Sequence, residues 1–204
     1  MDRIYRIFKI SSNQNKILTP HSVNSVNSVK NLNSAIRTPH SAIILGVDPS
    51  LRGTGWGVLE AHGEKLKARE FGVIHNPPSL RPSLCLVAIR KKLSEVIARH
   101  SPAVMAIEGL FYAQNIRTAL TMGQARGAAL LAGAENGLKI FEYAPRRVKQ
   151  SIVGVGDARK NQVGFMVRVL LGLTETPEPD AADALAIAIT HANTRNSSAD
   201  QVSL

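Results

Sequence analysis

Four carboxylates stand where an ordinary structural role accounts for them poorly. Asp48 closes the apolar run Ile43-Ile44-Leu45-Gly46-Val47, Glu108 closes the run from Ala103 to Ile107, and Asp180 and Asp183 are three residues apart in Asp180-Ala181-Ala182-Asp183. A short continuous apolar run suits a strand buried on both faces, and the ends of such strands are where functional side chains of open α/β sheets converge. The i, i+3 spacing puts Asp180 and Asp183 on one face of a helix's first turn. Each feature has a plainer reading. An acid at a strand end commonly caps the next turn, and Asp180 with Asp183, taken alone, is an N-cap with a partner for the helix dipole. The residues that follow, Ala184-Leu185-Ala186-Ile187-Ala188-Ile189, are apolar enough to be packed almost all round, so the Asp-bearing face is expected against the sheet. Carboxylates gathered there repel one another unless a cation lies between them.

Hard divalent ions take oxygen ligands, and Mg²⁺ keeps waters and uses only one or two carboxylates per ion. Four acids therefore suffice for two ions roughly 3.5 to 4 Å apart, the arrangement that activates a water and stabilises the leaving oxygen in phosphodiester cleavage. Such a site needs no Ser or Cys nucleophile. The single cysteine, Cys85, sits in the apolar run Leu84-Cys85-Leu86-Val87 and reads as a small buried side chain. One cysteine allows neither an intramolecular disulfide nor a Cys-based zinc site, and fits a reducing compartment.

The elements that must position these acids are legible between residues 42 and 193. After the Ile43–Asp48 strand come two strand-like runs, Gly55 to Ala61 and Leu66 to Ile74, divided by the turn signal His62-Gly63-Glu64. Leu86, Ile89, Leu93 and Ile97 recur at helical spacing within Leu84 to His100, and Pro102 ends that helix. Ala103 to Glu108 and Lys139 to Tyr143 read as further core strands. Thr118 to Asn136 is an Ala-rich helix stopped by Gly137, Pro145 to Ile152 and Arg159 to Leu171 are helices, and a last helix runs from Asp180 to about Asn193. Hairpin strands first, then alternating helix and strand, predict an α/β domain: a mixed sheet flanked by helices. Trp56, between glycines on a strand, is expected in the core.

Two features suggest nucleic acid. Arg146, Arg147, Lys149, Arg159, Lys160 and Arg168 crowd one stretch in which Asp157 is the sole acid, and Val153-Gly154-Val155-Gly156 within it offers backbone N–H groups to phosphate. A solvated basic face is the plainer account of the outermost arginines. Phe111 and Tyr112 follow Glu108 in a chain with only 4% aromatics, beside Gln114, Asn115 and Arg117. Aromatic faces stack on unpaired bases at about 1 to 3 kcal/mol each, with core packing the alternative for Tyr112.

Composition bounds the class. The 204 residues are 44% hydrophobic with a formal net charge of +10, enough apolar material for one domain and a basicity that favours polyanions. Residues 1–40 are rich in Ser and Asn, and their six Lys/Arg against one acid supply half of that charge. Residues 1–41 are therefore expected to be a disordered basic leader, 42–193 the folded domain and 194–204 a flexible tail. The leader's composition fits an organelle transit peptide, a start codon assigned upstream and a floppy basic arm equally well. No apolar stretch approaches the roughly 20 residues that span a bilayer, so a soluble protein without a membrane partner is expected.

Taken together, Ile44-Leu45-Gly46-Val47-Asp48-Pro49-Ser50 with Thr54-Gly55-Trp56-Gly57, Ala106-Ile107-Glu108, Gly123-Gln124-Ala125-Arg126-Gly127 and Asp180-Ala181-Ala182-Asp183-Ala184-Leu185-Ala186 resemble, in order, the motifs of the crossover junction endodeoxyribonuclease (RuvC) family over about residues 42 to 193. The resemblance implies a ribonuclease-H-like fold with a mixed five-stranded sheet flanked by helices. It implies a homodimer that incises four-way (Holliday) junctions symmetrically in DNA recombination and repair, leaving religatable nicks. It implies Mg²⁺ dependence, two ions per active site with Mn²⁺ as a substitute, and partnership with a branch-migration helicase complex of the RuvA and RuvB type. It places the acidic centre on Asp48, Glu108, Asp180 and Asp183, the basic DNA contacts on Lys149 and Lys160, and a residue acting near the junction centre on Phe111. Arg146 and Arg147 join the DNA-binding set from the basic stretch. A cytoplasmic bacterial enzyme is the expected setting, with organelle targeting by residues 1–40 left open.

Three other readings are weighed against this one. An actin-like ATPase or sugar kinase also uses a Gly-Val-Asp strand before a Thr- and Gly-containing hairpin, but requires two duplicated lobes. A DNA-structure-binding module without catalysis would have lost a metal ligand, and all four acids are present. A ribonuclease acting on RNA–DNA hybrids shares fold and chemistry, so the fold alone does not exclude it.

Overall fold

A computed structural model describes residues 41–109, 115–194 and 202–203. All of them belong to the second of two compact units, Arg37–Leu204. The expectations for residues 1–40 and for Phe111 and Tyr112 fall outside the described residues.

Three antiparallel strands come first: β1 (Ala42–Asp48), β2 (Gly53–His62) and β3 (Lys65–His75). The β2–β3 turn places Gly63 at φ +59, a conformation that costs a residue without Cβ nothing. Helix α1 (Pro82–His100) follows, its Pro at the first turn where the missing N–H is harmless. Next come β4 (Val104–Glu108), α2 (Ile116–Glu135) and β5 (Lys139–Tyr143). Helices α3 (Pro145–Val153), α4 (Lys160–Leu171) and α5 (Pro179–Thr194) complete the helical part. The sheet order is β3-β2-β1-β4-β5-β6, with β1, β4 and β5 parallel to one another. Five strands make the mixed sheet expected from the sequence, and β6 (Val202–Ser203) adds a two-residue antiparallel edge beside β5. Thr194 is buried at the end of α5, its hydroxyl donating to the Thr190 carbonyl, and Val202–Ser203 pairs with the sheet.

The two-residue period of a strand divides the core. Leu45, Val47, Met105 and Ile107 face α1 and α2 and pack on Cys85, Ile89, Leu93 and Ala129. Ile44 and Ala106 face the other way, onto α3, α4 and α5. Trp56 and Cys85 are both buried, as their sequence settings predict. By the same parity Asp48 and Glu108, one step beyond Val47 and Ile107, point toward α5.

Helix α5 lies directly on the sheet because small residues line the contact. A Cβ at Gly46 would fall 2.0 Å from the Ala184 carbonyl oxygen, and one at Gly55 would fall 1.9 Å from that of Asp180. Backbone thus rests on backbone where α5 crosses β1 and β2. The helix is buried nearly all round, including Leu185, Ile187 and Ile189, each contributing about 1.5 to 3 kcal/mol of transfer free energy.

Candidate active site

Asp48 ends β1, Glu108 ends the neighbouring parallel strand β4, and Asp180 lies on the first turn of α5 with Asp183 three residues on. The register Val47↔Ile107 sets Asp48 and Glu108 side by side, and Gly55, the partner of Asp48 on β2, is the residue that lets Asp180 approach. Carboxylate oxygens of Asp48, Asp180 and Asp183 lie within 4.8 Å of one another, a spacing that can hold a metal ion. Glu108 stands beside this trio: it shares the cleft and their electrostatic field but is not one of the three atoms so closely grouped.

The electrostatics follow from this crowding. Burial pushes the Asp48 carboxyl up to about 7, and repulsion from Glu108, Asp183 and Asp180 adds to the rise while Lys160 opposes it. Burial, then Asp183, also raises Glu108, against the pull of Lys160 and Lys149. Lys160 is held above its usual value, first by the charge of Asp183, to which its Nζ donates at 3.1 Å. An acidic cluster that cannot ionise fully without added positive charge is the donor set hard divalent cations prefer.

The acids open into a cleft of about 810 Å³. Lys149 and Lys160 line it, whereas Arg146 and Arg147 do not. Arg146 is exposed and folds over Gly156, where a Cβ would meet its Cγ at 2.6 Å. Phe111 lies outside the described residues.

Ser50 of the first motif and Arg117 also line the cleft, and so do residues that sequence reasoning did not single out: Arg52 of the β1–β2 turn, and Thr118, Thr121 and Met122 of α2. The turn is fastened from within. The buried Thr54 hydroxyl donates to the Ser50 carbonyl at 2.5 Å, Arg52 Nη1 donates to the carbonyls of Pro77 and Leu80 at 2.6 and 2.9 Å, and Asn76 Nδ2 donates to the Leu51 carbonyl at 2.9 Å. Residue identity carries no signal of the Arg52 and Asn76 ties, because they join segments 25 to 28 residues apart in sequence.

Strands that end in acids, covered by a helix that brings two more, define an acidic hydrolase centre of the kind that works with divalent metal. Comparison narrows the class. The sequence profile described as "Crossover junction endodeoxyribonuclease RuvC" matches residues 44–191. A crossover junction endodeoxyribonuclease RuvC of Akkermansia muciniphila is 49% identical over 148 residues, covering 72% of this chain and 89% of that one. The protein of the same description from Pelotomaculum thermopropionicum is 47% identical over 152 residues, covering 74% and 93%. Among solved structures, T. thermophilus RuvC in complex with Holliday junction substrate superposes with a TM-score of 0.73 at 35% identity, covering 79% of this chain and 99% of that one. The chain belongs to the crossover junction endodeoxyribonuclease RuvC family, and its fold is ribonuclease-H-like.

Proposed function

We propose that this chain is a structure-selective endonuclease that resolves Holliday junctions in DNA recombination and repair, hydrolysing one phosphodiester in each of two opposed strands to leave religatable nicks. The convergence of Asp48, Asp180 and Asp183 within 4.8 Å, in a chain of this family, carries the reading. Asp48, Asp180 and Asp183, with Glu108 beside them, would hold divalent metal, Mg²⁺ with Mn²⁺ as a substitute. Bound there, the metal would activate the attacking water and stabilise the leaving oxygen. Lys149 and Lys160 bind the strand from the cleft wall and set positive charge opposite the phosphate as negative charge builds on it. Arg146 and Arg147 extend the basic surface along the duplex arms, and Phe111, by the family's pattern, acts near the junction centre.

Two symmetric nicks call for two active sites, so the working form is a homodimer. Helices α1 and α2, which expose Leu84, Val87, Leu120 and Leu131, are the proposed interface. The setting is the bacterial cytoplasm, beside a branch-migration helicase complex; among the described residues no helix is long and apolar enough to cross a membrane. In the proposed division of the chain, residues 42–193 carry the whole of the chemistry. The test is cleavage of synthetic four-way junctions against linear duplex and RNA–DNA hybrid, with Mg²⁺ or EDTA. Metal-dependent paired incision of the junction alone is expected. Preferential cutting of the hybrid would replace this reading with a ribonuclease.

A further inference from the structure

One side chain of the motif Gly123-Gln124-Ala125-Arg126-Gly127 has no part in the site as described above, yet it reaches that site's framework. Arg126 projects from α2, on the face of the sheet opposite the acids. Its Nη1 donates to the main-chain carbonyl of Glu108 at 2.7 Å, and its Nη2 pairs with the Glu142 carboxylate at 2.5 Å. Glu142 is on β5 in register with Ile107, so its side chain faces α2 as Ile107 does. Little of the Arg126 or Glu142 side chain is exposed, 12% and 22%. The adjacent peptide is held as well: Gly109 N–H donates to the Tyr143 carbonyl at 2.9 Å. The strand end that presents Glu108 thus has its last carbonyl fixed by a guanidinium and its next N–H fixed by β5.

We propose that Arg126 is a positioning residue for the acidic centre: anchored by Glu142, it holds the Glu108 main chain so that the Glu108 carboxylate is presented to the metal and scissile phosphate on the other face of the sheet. The inference rests on the metal-dependent reading of the site given above. Glu108 needs such a hold more than the aspartates do. Asp48 ends a seven-residue strand and pairs with Gly55 of β2, and Asp180 and Asp183 ride on a helix seated against backbone, whereas Glu108 ends a strand of only five residues. A guanidinium suits the task because its rigid planar fork presents Nη1 to the carbonyl and Nη2 to the carboxylate, whereas a lysine offers a single nitrogen on a flexible stem. Partners that orient a metal's ligands typically change metal affinity or activity 10- to 100-fold when removed.

The test compares the full-length wild type with R126K, E142Q and the neutral double variant R126Q/E142Q. Four quantities are read: melting temperature, Mn²⁺ binding followed by the electron paramagnetic resonance of free Mn²⁺, metal-free junction binding and single-turnover junction cleavage. R126K keeps the charge opposite Glu142 but loses the fork, and should raise the Mn²⁺ midpoint about tenfold while leaving metal-free junction binding within twofold. E142Q should lower the melting temperature yet hold the midpoint within about twofold, since the guanidinium still donates to Glu108. The double variant buries no unpaired charge and should recover melting temperature without recovering the midpoint. If it instead binds Mn²⁺ and cleaves within twofold of wild type, or if every variant loses metal affinity in step with melting temperature, Arg126 is a structural ion-pair partner only. Failure of the wild type to bind Mn²⁺ or cut junctions would overturn the reading of the site itself, an outcome separate from any difference between variants.

Discussion

Replacing Asp48 by Asn should disable the enzyme and stabilise it at once, in a pH-dependent way. The Asp48 carboxyl has an ordinary value of 3.8 and lies at about 7 in the folded protein, because burial and the neighbouring acids disfavour its charge. A group raised on folding contributes its full stability below 3.8 and loses it as pH climbs through about 7, since in that window the native state holds a proton the unfolded chain has released. The whole gap corresponds to about 4 kcal/mol, and the part falling between pH 5 and pH 8.5 to about 3 kcal/mol. Asn imitates the protonated form at every pH. In EDTA, Asp48→Asn should therefore melt on the order of 3 to 6 °C above wild type at pH 5, where about 1.5 kcal/mol of the gap is already lost, and on the order of 8 to 16 °C above it at pH 8.5, taking about 2 to 4 °C per kcal/mol for a domain of this size. Mg²⁺ at pH 8.5 should raise the melting temperature of the wild type and narrow the gap. Differential scanning calorimetry at the two pH values, with and without metal, reads all three quantities. A gap that stays the same from pH 5 to pH 8.5 in EDTA would refute the assignment of the raised carboxyl and the crowding argument behind it.

Glu108→Gln and Asp183→Asn should abolish Mg²⁺-dependent cleavage while junction binding in gel-shift assays stays near wild type; cleavage within a few-fold of wild type for either would contradict their role. Lys149→Ala and Lys160→Ala should slow single-turnover cleavage at saturating enzyme more than they weaken binding. A salt slope reduced by about one with an unchanged rate would make them diffuse phosphate contacts instead. Gly55→Ala would drive a methyl into the Asp180 carbonyl and push α5 off the sheet, with a stability loss of about 1 to 3 kcal/mol by urea titration and a fall in cleavage. Sedimentation at micromolar concentration should show a dimer that Leu84→Glu/Leu131→Glu dissociates, and full junction resolution by a monomer would refute the proposed interface.

What could be read in the sequence was whatever depends on local pattern. The apolar runs into Asp48 and Glu108, the proline-flagged start of α5 and its uninterrupted apolar body locate three elements and four acids, because burial on both faces leaves a plain compositional trace. The seat of α5 was half visible: glycines at 46, 55 and 57 mark a close approach but do not say to what. The hold of Arg126 on Glu108, the Arg52 latch and the pairing of Lys160 with Asp183 had no trace, since each depends on which elements become neighbours in the fold. Arg146 and Arg147 show the converse: a basic stretch in sequence was dispersed by helical geometry, so that of its members Lys149 and Lys160 line the cleft while Arg146 and Arg147 do not.

The order in which the chain leaves the ribosome gives the glycine-lined seat of α5 a further meaning. Asp48 and Glu108 are made well before Asp180 and Asp183, and domains tend to organise from the N-terminal side during synthesis. Until α5 emerges, the sheet lacks its covering on one face, with Ile44, Leu59 and Ala106 uncovered and no cluster of aspartates to gather metal. A nascent chain therefore lacks two of its four acids until the last helix docks, which supplies both the lid of the core and half of the acidic centre. Nuclease activity becomes a certificate of completed folding: a chain cut short before that helix would lack its activity and much of its stability together.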